Sequence, residues 1–119
     1  MQNSPQDFRK KVLGRSAEEL TAKYLKKHGY KLIERNYKTP YGEADIIALK
    51  DGYYCFVEVK ARQSDVYGLP VEAVDERKRE RYRKMAAYFC FMKKTEVPIR
   101  FDISSVYEGG LEYFEDAYI

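Results

Sequence analysis

Apolar residues along the chain follow two rhythms. From Gly14 to His28, Ala17, Leu20, Tyr24 and His28 recur at three- and four-residue spacing with Leu13 in line, which predicts a helix stopped by Gly29. "YKLIERNY" then alternates as a strand does, and "KTPYG" carries Pro40 and Gly42 into a turn. Asp45 to Leu49 and Tyr53 to Lys60, rich in Ile, Val, Tyr and Phe, flank Asp51-Gly52, a strong hairpin signal. "RQSDVYGLP" reads as a loop. A long helix is expected from Val71 to about Met92, with Val74, Tyr82, Met85, Phe89 and Met92 along its apolar side. A strand from Ile99 to Val106 and a turn at Gly109-Gly110 follow, and "LEYFEDAYI" is either a short edge strand or a loose end. Helix, three strands, helix, then one or two strands predict an α/β (α+β) fold, a central mixed sheet flanked by helices.

The strand rhythm is interrupted by Glu43, Asp45, Glu58 and Lys60. A two-residue loop at Asp51-Gly52 would set Asp45 opposite Glu58 and Glu43 opposite Lys60. The Asp45 and Glu58 side chains would then share a face, with Cβ atoms about 5 Å apart. Lys60 shares the face of Glu58 because strand side chains alternate. Tyr54 and Phe56 share it too, while Cys55, Val57 and Val59 fill the other. A strand with one wet face is the plain alternative, but apolar residues on both faces place the charges at the end of a covered strand. Two carboxylates at that spacing repel by about 3 kcal/mol at an effective dielectric of about 20. A hard divalent cation, Mg²⁺ or Mn²⁺, would offset this, as would a shared proton or a nearby lysine. A metal held by Asp45, Glu58 and the Val59 carbonyl suits phosphodiester hydrolysis, because it acidifies bound water and stabilises charge on the phosphate. Lys60 would orient or deprotonate that water, or stabilise the transition state as a cation.

Length and composition narrow the field. Residues 1–119 make one domain, large enough for a core without disulfides. With 45% hydrophobic and 34% charged residues the chain is not of the disordered type. A net charge of +3 says little about partners, so local clusters matter more. Cys55 and Cys90 lack ligand-like spacing and are expected as reduced thiols. The only histidine, His28, argues against a multi-histidine metal centre or a histidine triad and is expected to be structural. No glycine-rich phosphate loop is visible. The first residues, "MQNSPQDFRKKVLGRS", hold no apolar run, which makes a cytoplasmic location the expectation, with no membrane segment.

Asp45 followed after a gap by Glu58-Val59-Lys60 resembles the catalytic core of the PD-(D/E)XK nuclease superfamily. The wider strings "GRSAEELTAKYLKKHGYKLIERNY", "YGEADIIA", "FVEVKAR", "YGLPVEAV" followed by Lys78, and "RFD" are together similar to the bacterial YraN family, over roughly Gly14 to Asp102. The resemblance implies a restriction-endonuclease-like αβββαβ core and divalent-metal-dependent chemistry on nucleic acid, DNA rather than RNA. Its fold relatives include Holliday junction resolvases, so branched DNA and a homodimer are implied by analogy. It also implies that a glutamate of the first helix approaches the site. Glu18 matches that position: at about 100° per residue it flanks the buried face beside Leu25, whereas Glu19 lies nearly opposite. Glu19 fits a capping-box partner of Ser16 instead. Ala44 stands where the superfamily motif carries proline. The alternatives are a nucleic-acid-binding protein with this fold and little or no hydrolysis, and an interaction protein with an inherited acidic cluster.

Further residues have two readings each. The stretch "DERKRERYRK", with Lys78 and Arg79 among its cations, is either a phosphate track or a solvated helix face. Lys78 falls between Val74 and Tyr82 on the apolar line, so it points to the site mouth or snorkels over apolar surface. Arg62 and Gln63 would contact phosphate or merely solvate a loop. Glu43 is a second metal ligand, an orienter of Lys60, or an ordinary cross-strand partner of it. The 12 tyrosines mostly fall at core-periodic positions, and "RFD" reads as a buried strand ion pair.

Overall fold

The computed structural model describes residues 5–62 and 76–117, with side chains described from residue 16 onward. Helix α1 (Pro5–Lys27) is followed by strands β1 (Lys31–Thr39), β2 (Gly42–Lys50) and β3 (Tyr53–Ala61), helix α2 (Glu76–Lys93), and strands β4 (Ile99–Tyr107) and β5 (Gly110–Phe114). The strands form one five-stranded sheet in sequence order. β1, β2 and β3 are an antiparallel meander, β4 runs parallel to β3, and β5 returns antiparallel as a short edge strand. This is the mixed α+β sheet of a restriction-endonuclease-like fold, with the expected αβββαβ order plus the edge strand.

The Asp51-Gly52 bend behaves as a two-residue hairpin loop: Lys50 pairs with Tyr53, and five successive pairs run out to Ile46↔Val57. Both loop residues are left-handed, with φ of 52° and 82°, the conformation a tight hairpin turn demands. The other hairpins also close with two residues, Pro40-Tyr41 and Glu108-Gly109, the latter one position earlier than the paired glycines suggest.

The sheet is covered on both sides. Cys55 and Val57 pack with Leu25, Tyr30, Ile46 and Ala48 in the layer under α1, with Val59 partly buried against them. Phe56 packs with Ala44, Ile47, Met85 and Phe89 under α2, with Tyr54 and Tyr82 beside them. The two faces of β3 are therefore divided as its alternation predicts. Burying a side chain such as Phe89 or Leu25, each 0% exposed, is worth about 1.5–3 kcal/mol.

Three expectations for the helices need correction. α1 begins at Pro5 rather than Gly14, so Ser16 lies inside the helix and cannot be the cap that Glu19 serves. Glu19 instead bridges Arg35 at 2.9 Å. The buried stripe of α1 is Ala17, Thr21, Ala22 and Leu25, while Leu20 is 49% exposed. His28 is exposed just past the helix and stacks on Tyr24. The stripe is rotated because Thr21 belongs to the core: its hydroxyl bonds to the Ala17 carbonyl (2.8 Å) and to the buried Ser104 hydroxyl (2.7 Å), which removes the cost of burying it. In α2, Tyr82, Met85 and Phe89 face the sheet as expected, but Met92 is 55% exposed near the helix end. Val71, Val74 and the loop "RQSDVYGLP" beyond Arg62 lie outside the described residues.

The "RFD" strand does hold a buried ion pair. Arg100 donates from Nε and Nη2 to the Asp102 carboxylate at 2.8–3.2 Å, and Asp102 is fully buried. The Tyr113 hydroxyl (2.6 Å) and the Asp116 amide (2.9 Å) also donate to it, so every side of the acid is satisfied.

Candidate functional site

The site lies where β2 and β3 part. Their ladder stops at Ile46↔Val57, one step before Asp45 would face Glu58. The Asp45 side chain takes over: its Oδ2 accepts the Val59 N–H at 2.8 Å. A carboxylate thus stands where a backbone carbonyl would continue the sheet. Because the N–H and C=O of one strand residue point to the same edge, the Val59 carbonyl faces this gap as well. The expected register is correct for the hairpin, but Asp45↔Glu58 and Glu43↔Lys60 are not ladder pairs. Glu43 is instead in register with Lys38 of β1.

Acidic charge gathers around Asp45. Burial, partly countered by the Val59 N–H, raises its carboxyl from 3.8 to about 6, and the charges of Glu18, Glu58 and Glu43 push it further the same way. Glu18, on α1, therefore reaches this cluster while its neighbour Glu19 points away to Arg35. Glu58 is held from the other layer, where the Tyr82 hydroxyl of α2 donates to its Oε2 at 2.8 Å. Burial raises the Tyr82 pKa, and the Glu58 charge adds to the effect, so the phenol stays a donor.

The cations occupy the next step of β3. Burial lowers the pKa of Lys60, the adjacent Lys78 ammonium and Arg62 add to this, and the charge of Glu58 opposes it. Lys78, in the first turn of α2, is near enough to Lys60 for its charge to be felt there. The Arg62 amide continues the sheet to the Val106 carbonyl (2.6 Å), and its side chain lines a groove of about 420 Å³ with Ser16 and Leu20 of α1 and Tyr107 of β4. Arg79 is half-buried on α2 and pairs with Glu76 at 3.7 Å. Gln63 lies outside the described residues.

Two residues join this site that the hydrophobic pattern does not mark as functional. Tyr82 was assigned only to the core. Asn36 of β1 lies beside the cluster: with its amide nitrogen turned toward the acids it donates to Glu18 Oε1 and Glu43 Oε1, both at 3.2 Å. Its φ of 54° is left-handed, which asparagine tolerates and most residues do not. An asparagine inside "IERNY" gives one local signal of this kind, a strand residue suited to a kink.

Metal chemistry can be judged from the donors. Among the described residues no group of three or more His, Cys, Asp or Glu is placed to cage an ion. Mg²⁺ does not demand such a cage, since it usually keeps several waters and takes one or two carboxylates. Asp45 and Glu58, with the Val59 carbonyl, make a donor set of that hard-oxygen kind, and a cation there would favour the ionised Asp45 that burial, and then the neighbouring acids, disfavour.

Fold and site together define a restriction-endonuclease-like α+β domain with an acidic cluster at the fork of its central hairpin. A family model described as "Uncharacterised protein family UPF0102" matches residues 17–106, and the chain belongs to this family, the one to which the YraN resemblance points. UPF0102 proteins similar to it occur in Thermodesulfovibrio yellowstonii (40% identical over 106 residues, 89% of this chain and 95% of the relative) and Dictyoglomus thermophilum (44% over 97 residues, 81% and 82%). Another, from Thermotoga maritima, is 39% identical over 105 residues, covering 88% and 95% of the two chains. No helix among the described residues is long and apolar enough to cross a membrane.

Proposed function

We propose that the protein is a divalent-metal-dependent endonuclease that hydrolyses phosphodiester bonds in DNA, branched DNA included. The observation that carries this reading is the fork itself: Asp45 accepts the Val59 N–H beside Glu58, with Lys60 one step further on the same face of β3. Asp45, Glu58 and the Val59 carbonyl would hold Mg²⁺ or Mn²⁺, which supplies an acidified water and withdraws charge from the scissile phosphate.

The chain's own groups do the rest. Tyr82 fixes Glu58 by donating to its Oε2. Asn36 ties Glu18 to Glu43 and so holds Glu18 toward Asp45 as an assisting acid. Lys60, its ammonium disfavoured by burial, can take a proton from water or, charged, stabilise the pentavalent phosphate. Lys78 adds positive charge at the same point.

A second reading, nucleic-acid binding without hydrolysis, is favoured by the lack of three convergent ligand side chains among the described residues. Labelled four-way junctions, flaps, linear duplexes and single strands incubated with Mn²⁺ separate the two. Cutting that disappears in Lys60→Ala supports the endonuclease. A mobility shift without cutting supports the second reading, and neither shift nor cutting removes both.

A further inference from the structure

We infer that the cleft between the β1–β2 turn and α2 is a subsite for a single-stranded arm of the nucleic acid, with a base stacked on Tyr41. This rests on the nucleic-acid reading above and adds a substrate class to it.

The cleft has a volume of about 470 Å³ and is lined by Tyr41 and by Glu76, Arg77, Glu80, Arg81 and Lys84 of α2. Both signs of charge line it, but only the acids have ion-pair partners within the helix. Glu76 and Glu80, at the acidic edge of the cleft, are paired with Arg83, and Glu76 also with Arg79, so their charge is neutralised within the helix. Arg77, Arg81 and Lys84 follow at four- and three-residue spacing along the flank facing the turn, about 6 and 4.5 Å apart along the axis. Among the described residues none of the three forms an ion pair, whereas Arg79 and Arg83 do. A line of cations at that interval follows one phosphate backbone, and such grooves bind single strands when an aromatic ring lies beside them.

Tyr41 is that ring. It is 45% exposed, and the Lys84 ammonium lies over the ring at 5.8 Å from its centre, so ring and cation are presented to the cleft together. The turn that presents it is braced rather than loose. The Thr39 hydroxyl donates to the Gly42 carbonyl (2.7 Å) and accepts the Tyr41 amide (3.1 Å). Gly42 has φ of 145°, and a Cβ there would lie 3.2 Å from Arg81 Cδ and 3.3 Å from Met85 Sδ, so α2 seats directly on the turn. Ring and cations are thereby held in one fixed relation.

Distance links this cleft to the fork. Tyr41, in the turn just before β2, and Asp45 are four residues apart, about 13 Å of extended chain. That span equals about four base steps of a stacked strand at about 3.4 Å each, and fewer of an extended one. A duplex is too thick to put a base face on Tyr41 without unpairing it, so the ring selects an unpaired segment adjoining the phosphate at Asp45.

The test is binding without metal, by anisotropy in EDTA, of a labelled DNA hairpin carrying a single-stranded arm of about ten nucleotides, against the same hairpin blunt-ended. The armed hairpin should bind at least fivefold more tightly. Tyr41→Ala should remove that advantage, since one stacked base is worth about 5- to 150-fold, while Tyr41→Phe should keep it. Arg77→Gln/Arg81→Gln should lower the slope of log affinity against log salt by about 1.4 for the armed hairpin. Equal binding of armed and blunt hairpins overturns the inference, as does a folded Tyr41→Ala protein that retains the preference. Cleavage of blunt DNA in Mn²⁺ alongside either result would leave the nuclease reading intact while the arm subsite is lost. An arm preference with no cleavage of any substrate would support the subsite and count against the nuclease.

Discussion

Replacing Asp45 with asparagine should make the protein more stable while removing its capacity for metal. Asparagine is nearly isosteric and keeps an oxygen to accept the Val59 N–H, so the fork should hold its shape. What it removes is a carboxylate whose ionisation is opposed by burial and by Glu18, Glu58 and Glu43. A carboxyl raised from 3.8 to about 6 binds its proton more tightly in the folded state. Its favourable contribution is therefore fully present below about pH 4 and is lost as pH rises through about 6. At pH 8 the ionised side chain costs the fold up to about 3 kcal/mol, which partial solvent access and relaxation reduce to about 1–2 kcal/mol. Asp45→Asn should recover that amount at pH 8, a rise in Tm of about 4–8 °C, and should show little gain at pH 4. The assay is thermal and urea unfolding of both proteins from pH 4 to 8, repeated with Mg²⁺. Mg²⁺ at a hundred times its Kd should stabilise the parent by about 2.7 kcal/mol and leave the variant unmoved. Parallel pH profiles, or a variant less stable at pH 8, would refute the idea that ionised Asp45 costs the fold stability.

Three other substitutions probe the frame around the fork. Phe89→Ala removes the ring that meets Tyr37, Tyr54 and Phe56 at centroid distances of 5.2–5.6 Å and should cost about 3–5 kcal/mol in urea unfolding. Asp102→Ala removes the main partner of the Arg100 guanidinium, only 17% exposed, and the acceptor of the Tyr113 hydroxyl and Asp116 amide, and should cost about 3–5 kcal/mol by the same measurement. Tyr82→Phe deletes the donor to Glu58 and should weaken Mg²⁺ binding about tenfold in calorimetry, with the far-ultraviolet circular dichroism unchanged.

The hairpin was the most legible part of the molecule because its information is local. Asp51-Gly52 accepts the positive φ values of the turn, and alternation then assigns Phe56, Glu58 and Lys60 to one layer and Cys55, Val57 and Val59 to the other. The apolar side of α2 was also legible at Tyr82, Met85 and Phe89. The end of the ladder was not, because a side chain substituting for a carbonyl leaves no mark on a pattern of polar and apolar letters. The α1 stripe was misread for a related reason: Thr21 counts as polar until Ser104, 83 residues away, supplies its partner. Asn36 was hidden similarly, its role depending on Glu18 and Glu43 from two other elements. Long-range polar pairing is the part of this fold that a linear pattern cannot show.

The two-residue bend between β2 and β3 makes the hairpin intolerant of length change. Adding or deleting one residue there would turn β3 over relative to β2, carrying Glu58 and Lys60 to the α1 layer and driving Val57 and Val59 under α2. Lineages descended from this protein can exchange the letters at the bend, provided left-handed backbone survives, but cannot alter their number without dismantling the acidic fork.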